Sequence, residues 1–311
     1  MIVVQLFLLA LGFALLVKGA DWFVEGASGI ADKFGIPQLV IGLTIVAMGT
    51  SAPETAVSVT AALKGTADIA IGNVIGSNIL NILIILGISS VITSIAVAKT
   101  TIRYEIPIML FITALLLLFG ITGGSVCLWE GIILLLCFAS YLLYMFVMVK
   151  KGEMEAENIE STQKPIWKMI LMGIIGLALI ILGSNITVDS ATELAKIFGM
   201  SEKFIGLTVV ALGTSLPELF TSVMAARKGK ADIAIGNIVG SNIFNILFVI
   251  GTSALIIPVT FEMNFITDFL VAIASGLILW VCVFRKKKLK RVDGIIMLGC
   301  YAAYFAYLLI K

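Results

Sequence analysis

The sequence contains no histidine, which removes both the commonest transition-metal ligand and the side chain that ordinarily titrates near neutrality. Cysteine is scarce. Cys127, Cys137, Cys282 and Cys300 stand apart in apolar stretches with no CxxC pair, so no disulfide framework, zinc knuckle or redox motif is written into the chain. They read as small packing residues. Charge is also rare: Asp, Glu, Lys and Arg supply 13% of 311 residues, about half the usual share in a soluble domain. A net charge of +2 gives no footing for a nucleic-acid partner, and no segment calls for a cofactor or an enzymatic site.

What fills the space is hydrophobic. Sixty per cent of residues are apolar, mean hydropathy is +1.14, and apolar runs of 18 or more recur along the chain, which is the pattern of an all-α polytopic membrane protein. Hydropathy and turn signals predict ten helices, at 2–31, 38–63, 69–93, 105–121, 126–149, 169–198, 203–226, 233–257, 264–284 and 294–310. The N-terminus lacks a basic n-region and a small-residue cleavage site, so the first span is expected to be retained. The polar segment 150–168 divides two halves of five helices, 1–149 and 169–311.

Basic residues set the orientation. Sixteen of the 21 lysines and arginines fall in the loops after helices 1, 3, 5, 7 and 9, and the positive-inside rule puts those loops in the cytoplasm and both termini outside. The linker 150–168 is then cytoplasmic. Short loops and a compact chain suit a plasma membrane protein that works as a monomer. The run Arg285–Arg291 (RKKKLKR) reads first as a topology anchor and secondarily as a contact for anionic lipids.

Two segments nearly repeat each other. Ile41–Ser89 and Ile205–Ser253 align without a gap at an offset of 164 (205 − 41), with 33 of 49 positions identical. Five helices per half make the two copies enter the membrane from opposite sides. Inverted duplicates predict a pseudo-two-fold axis in the membrane plane, with related motifs meeting at one central site.

Depth places the chemistry at that centre. Glu54 lies ten residues before the Lys64-Gly65 turn and Glu218 ten before Lys228-Gly229, about 15 Å along a helix and so about halfway through a roughly 30 Å hydrocarbon core. Ser77, Asn78, Asn81, Ser241, Asn242 and Asn245 reach a similar depth. A bare carboxylate there is costly, and no lysine or arginine in a helix centre is placed to pair with it. A bound cation is the simplest partner; a protonated, hydrogen-bonded glutamate is the plainer alternative. Pro53 and Pro217 remove backbone donors and are expected to free carbonyls around Ala47–Thr50 and Ala211–Thr214. Carboxylate, hydroxyl, amide and carbonyl oxygens are hard donors suited to Ca²⁺, Na⁺ or Mg²⁺, and two carboxylates balance one Ca²⁺ or two Na⁺.

GTSAPE (Gly49–Glu54), GNVIGSNILN (Gly72–Asn81), GTSLPE (Gly213–Glu218) and GNIVGSNIFN (Gly236–Asn245) resemble the two alpha repeats of the calcium/cation antiporter superfamily, and most closely those of prokaryotic sodium/calcium exchangers. The resemblance implies alternating-access antiport, usually of three Na⁺ inward for one Ca²⁺ outward, around a central ion site formed by broken helices 2, 3, 7 and 8, with helices 1 and 6 moving across it. It implies that Glu54 and Glu218 are shared by both ions. Thr50, Ser51, Thr214, Ser215, Ser77 and Ser241 would give hydroxyls or carbonyls, Ala47 and Ala211 backbone oxygens, and Asn81 and Asn245 the middle of the site. Asn245 departs from relatives that carry aspartate there, which makes potassium co-transport less expected. The proton-coupled branch usually lacks GTSxPE.

Other polar residues have plainer readings. Gly72/Gly76 and Gly236/Gly240 suit close helix packing. Lys18, Asp21 and Glu25 are expected to snorkel and pair locally on helix 1; a gating role is the alternative, since Asn185 and Asp189 are the repeat counterparts of Asp21 and Glu25.

Overall fold

The computed structural model describes residues 2–151, 165–199 and 211–310. Their regular secondary structure is helical apart from four two-residue strands. In chain order the helices are α1 (Ile2–Phe34), α2 (Gln38–Thr50), α3 (Ala52–Leu63), α4 (Ile69–Ile92), α5 (Thr101–Gly123), α6 (Leu128–Lys151), α7 (Ile166–Ile197), α8 (Ala211–Thr214), α9 (Leu216–Arg227), α10 (Ala231–Ile256), α11 (Phe265–Lys286) and α12 (Arg291–Leu309). Eight of these are long and apolar enough to cross a membrane unbroken, and α2 with α3 forms a further span bent by 49°. Part of the expected seventh span, 203–210, lies outside the described residues. Its remainder is α8 and α9.

Burial separates centre from rim. The apolar stretch of α10 is 94% buried and that of α4 72%, whereas α1, α5, α6, α7, α11 and α12 bury between 17% and 33%. The rim helices turn Phe7, Leu136, Val281 and Ile295 outward, as lipid-facing surfaces do. Short antiparallel bridges staple the loops: β1 (Ile95–Ala96) to β4 (Lys288–Leu289), and β2 (Ser125–Val126) to β3 (Val259–Thr260).

The breaks fall where the prolines are. Ser51 (φ −81°, ψ 12°) ends α2 and caps α3, and Ser215 (φ −90°, ψ 4°) does the same between α8 and α9, with Pro53 and Pro217 in the first turn beyond, where a missing N–H costs nothing. Gly65 and Gly229 then close α3 and α9 with φ of 78° and 74°, a conformation open to glycine without strain. The expectation of breaks in helices 3 and 8 is corrected: α4 and α10 are continuous. Neither contains proline. Each instead widens into a π-turn, at Asn81–Leu86 and Asn245–Ile250, which shifts side-chain direction without ending the helix.

α1 and α7 lie antiparallel and in close contact. A Cβ on Gly19 would stand 2.8 Å from the Gly176 carbonyl oxygen, and one on Gly183 2.8 Å from that of Gly12. Only hydrogen in place of a side chain allows backbones to approach so closely.

Candidate functional site

Glu54 and Glu218 sit in the first turns of α3 and α9, where helix dipoles favour negative charge. Both are buried, at 1% and 0% exposure. The two breaks hold each other's carboxylate. Ser51 Oγ donates to Glu218 Oε1 at 2.8 Å, and Ser215 Oγ donates to Glu54 Oε1 at 3.4 Å. Thr50 and Ser241 also face Glu218, and Thr214 faces Glu54.

Asparagines from the central helices brace this pair. Asn73 Nδ2 donates to the Glu54 carbonyl (3.3 Å) and Ser58 Oγ (3.0 Å); Asn237 Nδ2 repeats the pattern with the Glu218 carbonyl (3.4 Å) and Ser222 Oγ (2.9 Å). Thr50 Oγ1 donates to Asn237 Oδ1 at 2.9 Å. Asn81 Nδ2 donates to Asn242 Oδ1 at 2.9 Å and Asn245 Nδ2 to Asn78 Oδ1 at 3.2 Å.

The polar atoms left over at the site are all oxygens: Glu54 Oε2, Glu218 Oε2, Asn81 Oδ1, Asn245 Oδ1 and Thr214 Oγ1 are buried without a hydrogen-bond partner. Buried acceptors without donors are costly, and an oxygen-only set of this kind suits a hard cation. Among the described residues neither glutamate has an ion-pair partner, and no three His, Cys, Asp or Glu cluster as in a transition-metal site. The donor set is that of a hard-cation site.

Of the residues singled out by sequence, Glu54, Glu218, Ser51, Ser215, Thr50, Thr214, Asn81, Asn245 and Ser241 come together here. Ser77 is buried beside them on α4. The Ala47 carbonyl is not released by Pro53: it accepts from Ser51 N at 3.0 Å and from Ser241 Oγ at 3.4 Å, because the helix runs unbroken to Thr50. Ala211 opens α8; the Gly213 carbonyl is taken by Ser184 Oγ at 2.8 Å. Sequence reasoning missed the bracing pairs Asn73–Ser58 and Asn237–Ser222. Their signal lies in GN at 72–73 and 236–237, where only the glycines enter the sequence reading, as packing residues.

Cavities flank the site on both sides, one of about 650 Å³ being lined by Phe13, Val17, Lys18, Asp21 and Met224. A cavity of about 580 Å³ lined by Pro53, Ala56, Asn185, Asp189 and Thr214 reaches the breaks between α3 and α7. Across the molecule Lys228 Nζ bridges Asp21 (2.7 Å) and Glu25 (3.5 Å) of α1, and the Phe13 and Phe220 rings meet at 6.0 Å. The Lys18–Asp21 pair is local, at 3.3 Å, but the stronger partner comes from the end of α9, so the purely local reading of these acids is corrected.

The profile of the sodium/calcium exchanger protein family matches residues 4–147 and 168–310. CaxA of Alkalimonas amylolytica is 42% identical, over 98% of each chain. The sodium/calcium exchanger MaX1 of Methanosarcina acetivorans is 33% identical, over 99% of each. A solved structure of the sodium-calcium exchanger NCX_Mj, soaked with 2.5 mM Na⁺ and 0.1 mM Ca²⁺, superposes with a TM-score of 0.85 at 34% identity, covering 98% of this chain and 99% of that one. Its buried carboxylates, spare oxygens and membrane-length helices agree with these matches, and this chain belongs to the sodium/calcium exchanger family: it is a cation/Ca²⁺ antiporter, not an enzyme.

Proposed function

We propose that the protein moves Na⁺ inward and Ca²⁺ outward by alternating access through one shared site, electrogenically, since three Na⁺ against one Ca²⁺ carries a net positive charge inward. The observation that carries this reading is the pair of buried carboxylates whose second oxygens, with those of Asn81, Asn245 and Thr214, have no donor. Glu54 and Glu218 serve both ions. Ser51, Ser215, Thr50, Thr214, Ser77 and Ser241, with the Ala211 carbonyl, complete the shell, and the Ala47 carbonyl, held by Ser51 N and Ser241 Oγ, would join it only if Ser241 turned away. In proteoliposomes loaded with Na⁺, Ca²⁺ uptake should follow the outward Na⁺ gradient and make the lumen negative. Uptake indifferent to Na⁺ would remove the coupling, and flux that does not saturate would point to a channel.

The architecture that suits this is ten helices in two inverted repeats, 1–149 and 169–311, joined by the cytoplasmic segment 150–168, in the plasma membrane with both termini outside. Related bonds support it. Asn78 donates to the backbone oxygen of Asn242 and Asn242 to that of Asn78, both at 3.2 Å; as 78 + 164 = 242, each residue bonds its own counterpart, the signature of a two-fold axis. One chain supplies both halves, so a monomer suffices. Arg285–Arg291 would meet anionic lipids at the cytoplasmic face.

On this orientation the cavity beside Asp189 opens outward and the Lys228 bridge closes the inner side. Lys64, the counterpart of Lys228, makes no ion pair among the described residues. The Lys228 pair is partly exposed and worth about 1 kcal/mol or less. Lys228→Gln should therefore raise labelling of a Phe220→Cys variant from the cytoplasmic side by about threefold, in a background without the native cysteines. Unchanged labelling would mean that the bridge does not hold the inner side shut.

Asn245 leaves two carboxylates at the site, which favours Na⁺-only coupling over the K⁺-dependent alternative, while the two GTSxPE motifs count against the H⁺-coupled one. Asn245→Asp adds a third and should move the reversal potential of exchange or introduce a K⁺ dependence. An unaltered reversal potential with no K⁺ effect would take Asn245 out of the ion shell.

A further inference from the structure

We propose that Asn78 and Asn242 are positioning residues that act as an amide relay, turning the side-chain oxygens of Asn245 and Asn81 toward the ion. The inference rests on the ion-site reading above and assigns a role to two residues that need not touch the ion themselves.

The relay starts from groups that cannot be reversed. A backbone carbonyl only accepts. Asn78 presents Nδ2 to the Asn242 carbonyl and Asn242 presents Nδ2 to the Asn78 carbonyl, each at 3.2 Å, so the flip of both amides is set by the backbone. Their Oδ1 atoms then face the next amide. Asn245 meets Asn78 Oδ1 with its Nδ2 at 3.2 Å, and Asn81 meets Asn242 Oδ1 with its Nδ2 at 2.9 Å. Turning either outer amide over would set oxygen against oxygen. Asn81 Oδ1 and Asn245 Oδ1 are therefore the atoms left pointing away from the quartet, and both are buried without a donor. All four side chains are at least 97% buried, so water does not offer a substitute partner.

The pairing crosses the repeats. Asn78 governs Asn245, although Asn81 lies one turn along its own helix; Asn242 governs Asn81, although Asn245 is its own near neighbour. Without the relay an outer amide is free to turn its N–H groups toward the ion, which repels a cation and removes one oxygen ligand. The π-turns that begin at Asn81 and Asn245 put the governed residues at the point where each helix widens.

The crossing gives a test that a general packing role does not pass. Ca²⁺ binding by purified full-length protein is measured by calorimetry for Asn78→Ala, Asn242→Ala, Asn81→Ala, Asn245→Ala and their pairs. Asn78→Ala should weaken Ca²⁺ binding about tenfold or more. It should add little to Asn245→Ala, yet combine additively with Asn81→Ala; Asn242→Ala should show the mirror pattern. Equal coupling to both partners, or additivity with both, overturns the relay. Where an alanine variant does not fold, serine, too short to reach the outer amide, takes its place in the same cycle. Wild-type protein that binds Ca²⁺ with the expected coupling but does not exchange it would retire the transport reading and leave the relay standing; wild-type protein that does not bind Ca²⁺ would retire both.

Discussion

Glu54→Gln or Glu218→Gln is expected to lower Na⁺-driven Ca²⁺ uptake about a hundredfold or more, beyond what loss of a supporting group costs, while the protein folds. Glutamine keeps one oxygen to accept from Ser215 or Ser51, so the hydrogen bonds at 3.4 Å and 2.8 Å between the breaks have a surviving acceptor. What is lost is the charge that offsets a cation at a buried site where, among the described residues, no basic side chain pairs with either glutamate. The same loss removes the cost of holding a carboxylate in the membrane interior. In ion-free buffer the variants should thus unfold at a temperature equal to or above that of the wild type, and Ca²⁺ should no longer raise it. Near-normal exchange by either variant, or unfolding of both, would contradict the assignment.

Gly240→Ala should cost about 1–3 kcal/mol of stability through overpacking and take transport with it. A methyl there would lie 2.6 Å from the Leu43 carbonyl oxygen and 2.8 Å from Leu43 Cα. Backbone cannot swing aside as a side-chain end can, so α10 must withdraw from α2 one turn before Ala47. That displaces Asn237 from Thr50 and Ser241 from the Ala47 carbonyl, the contacts that tie the second half to the first break. Gly299→Ala is the control: on exposed α12 its methyl meets nothing within 4 Å, and the change should be neutral or stabilising by up to about 1 kcal/mol. Thermal unfolding and uptake measured on both variants check the pair; equal tolerance of both would refute the packing account.

Much of the site was legible because membranes penalise polar residues so heavily. Glu54 and Glu218 stand out in apolar sequence, duplication marks them twice, and Pro53 and Pro217 announce the breaks. Among the described residues helix extents were read to within about four residues, the start of α5 being the largest miss, since Thr101–Glu105 forms a polar π-turn that hydropathy treats as loop. The continuity of α4 and α10 was not legible. A π-turn leaves no signature in the Asn-Ile-Leu that opens it, and glycines there serve packing where breaks were expected. Nor does sequence state which amide meets which. Asn78 and Asn81 look alike on a helix, and only the tertiary pairing with Asn242 separates the residue that positions from the one left with a free oxygen. The Lys228 bridge was missed because its acids sit some two hundred positions away.

The central claim is that two buried carboxylates form one site that Ca²⁺ and Na⁺ occupy in turn. Radioactive Ca²⁺ binding to the purified protein at increasing Na⁺ tests it most directly. The account predicts a single saturable Ca²⁺ site, displaced by Na⁺ with a steepness that requires more than one Na⁺, and absent from Glu54→Gln and Glu218→Gln. Ca²⁺ binding that persists at saturating Na⁺, or that survives in both variants, would contradict it.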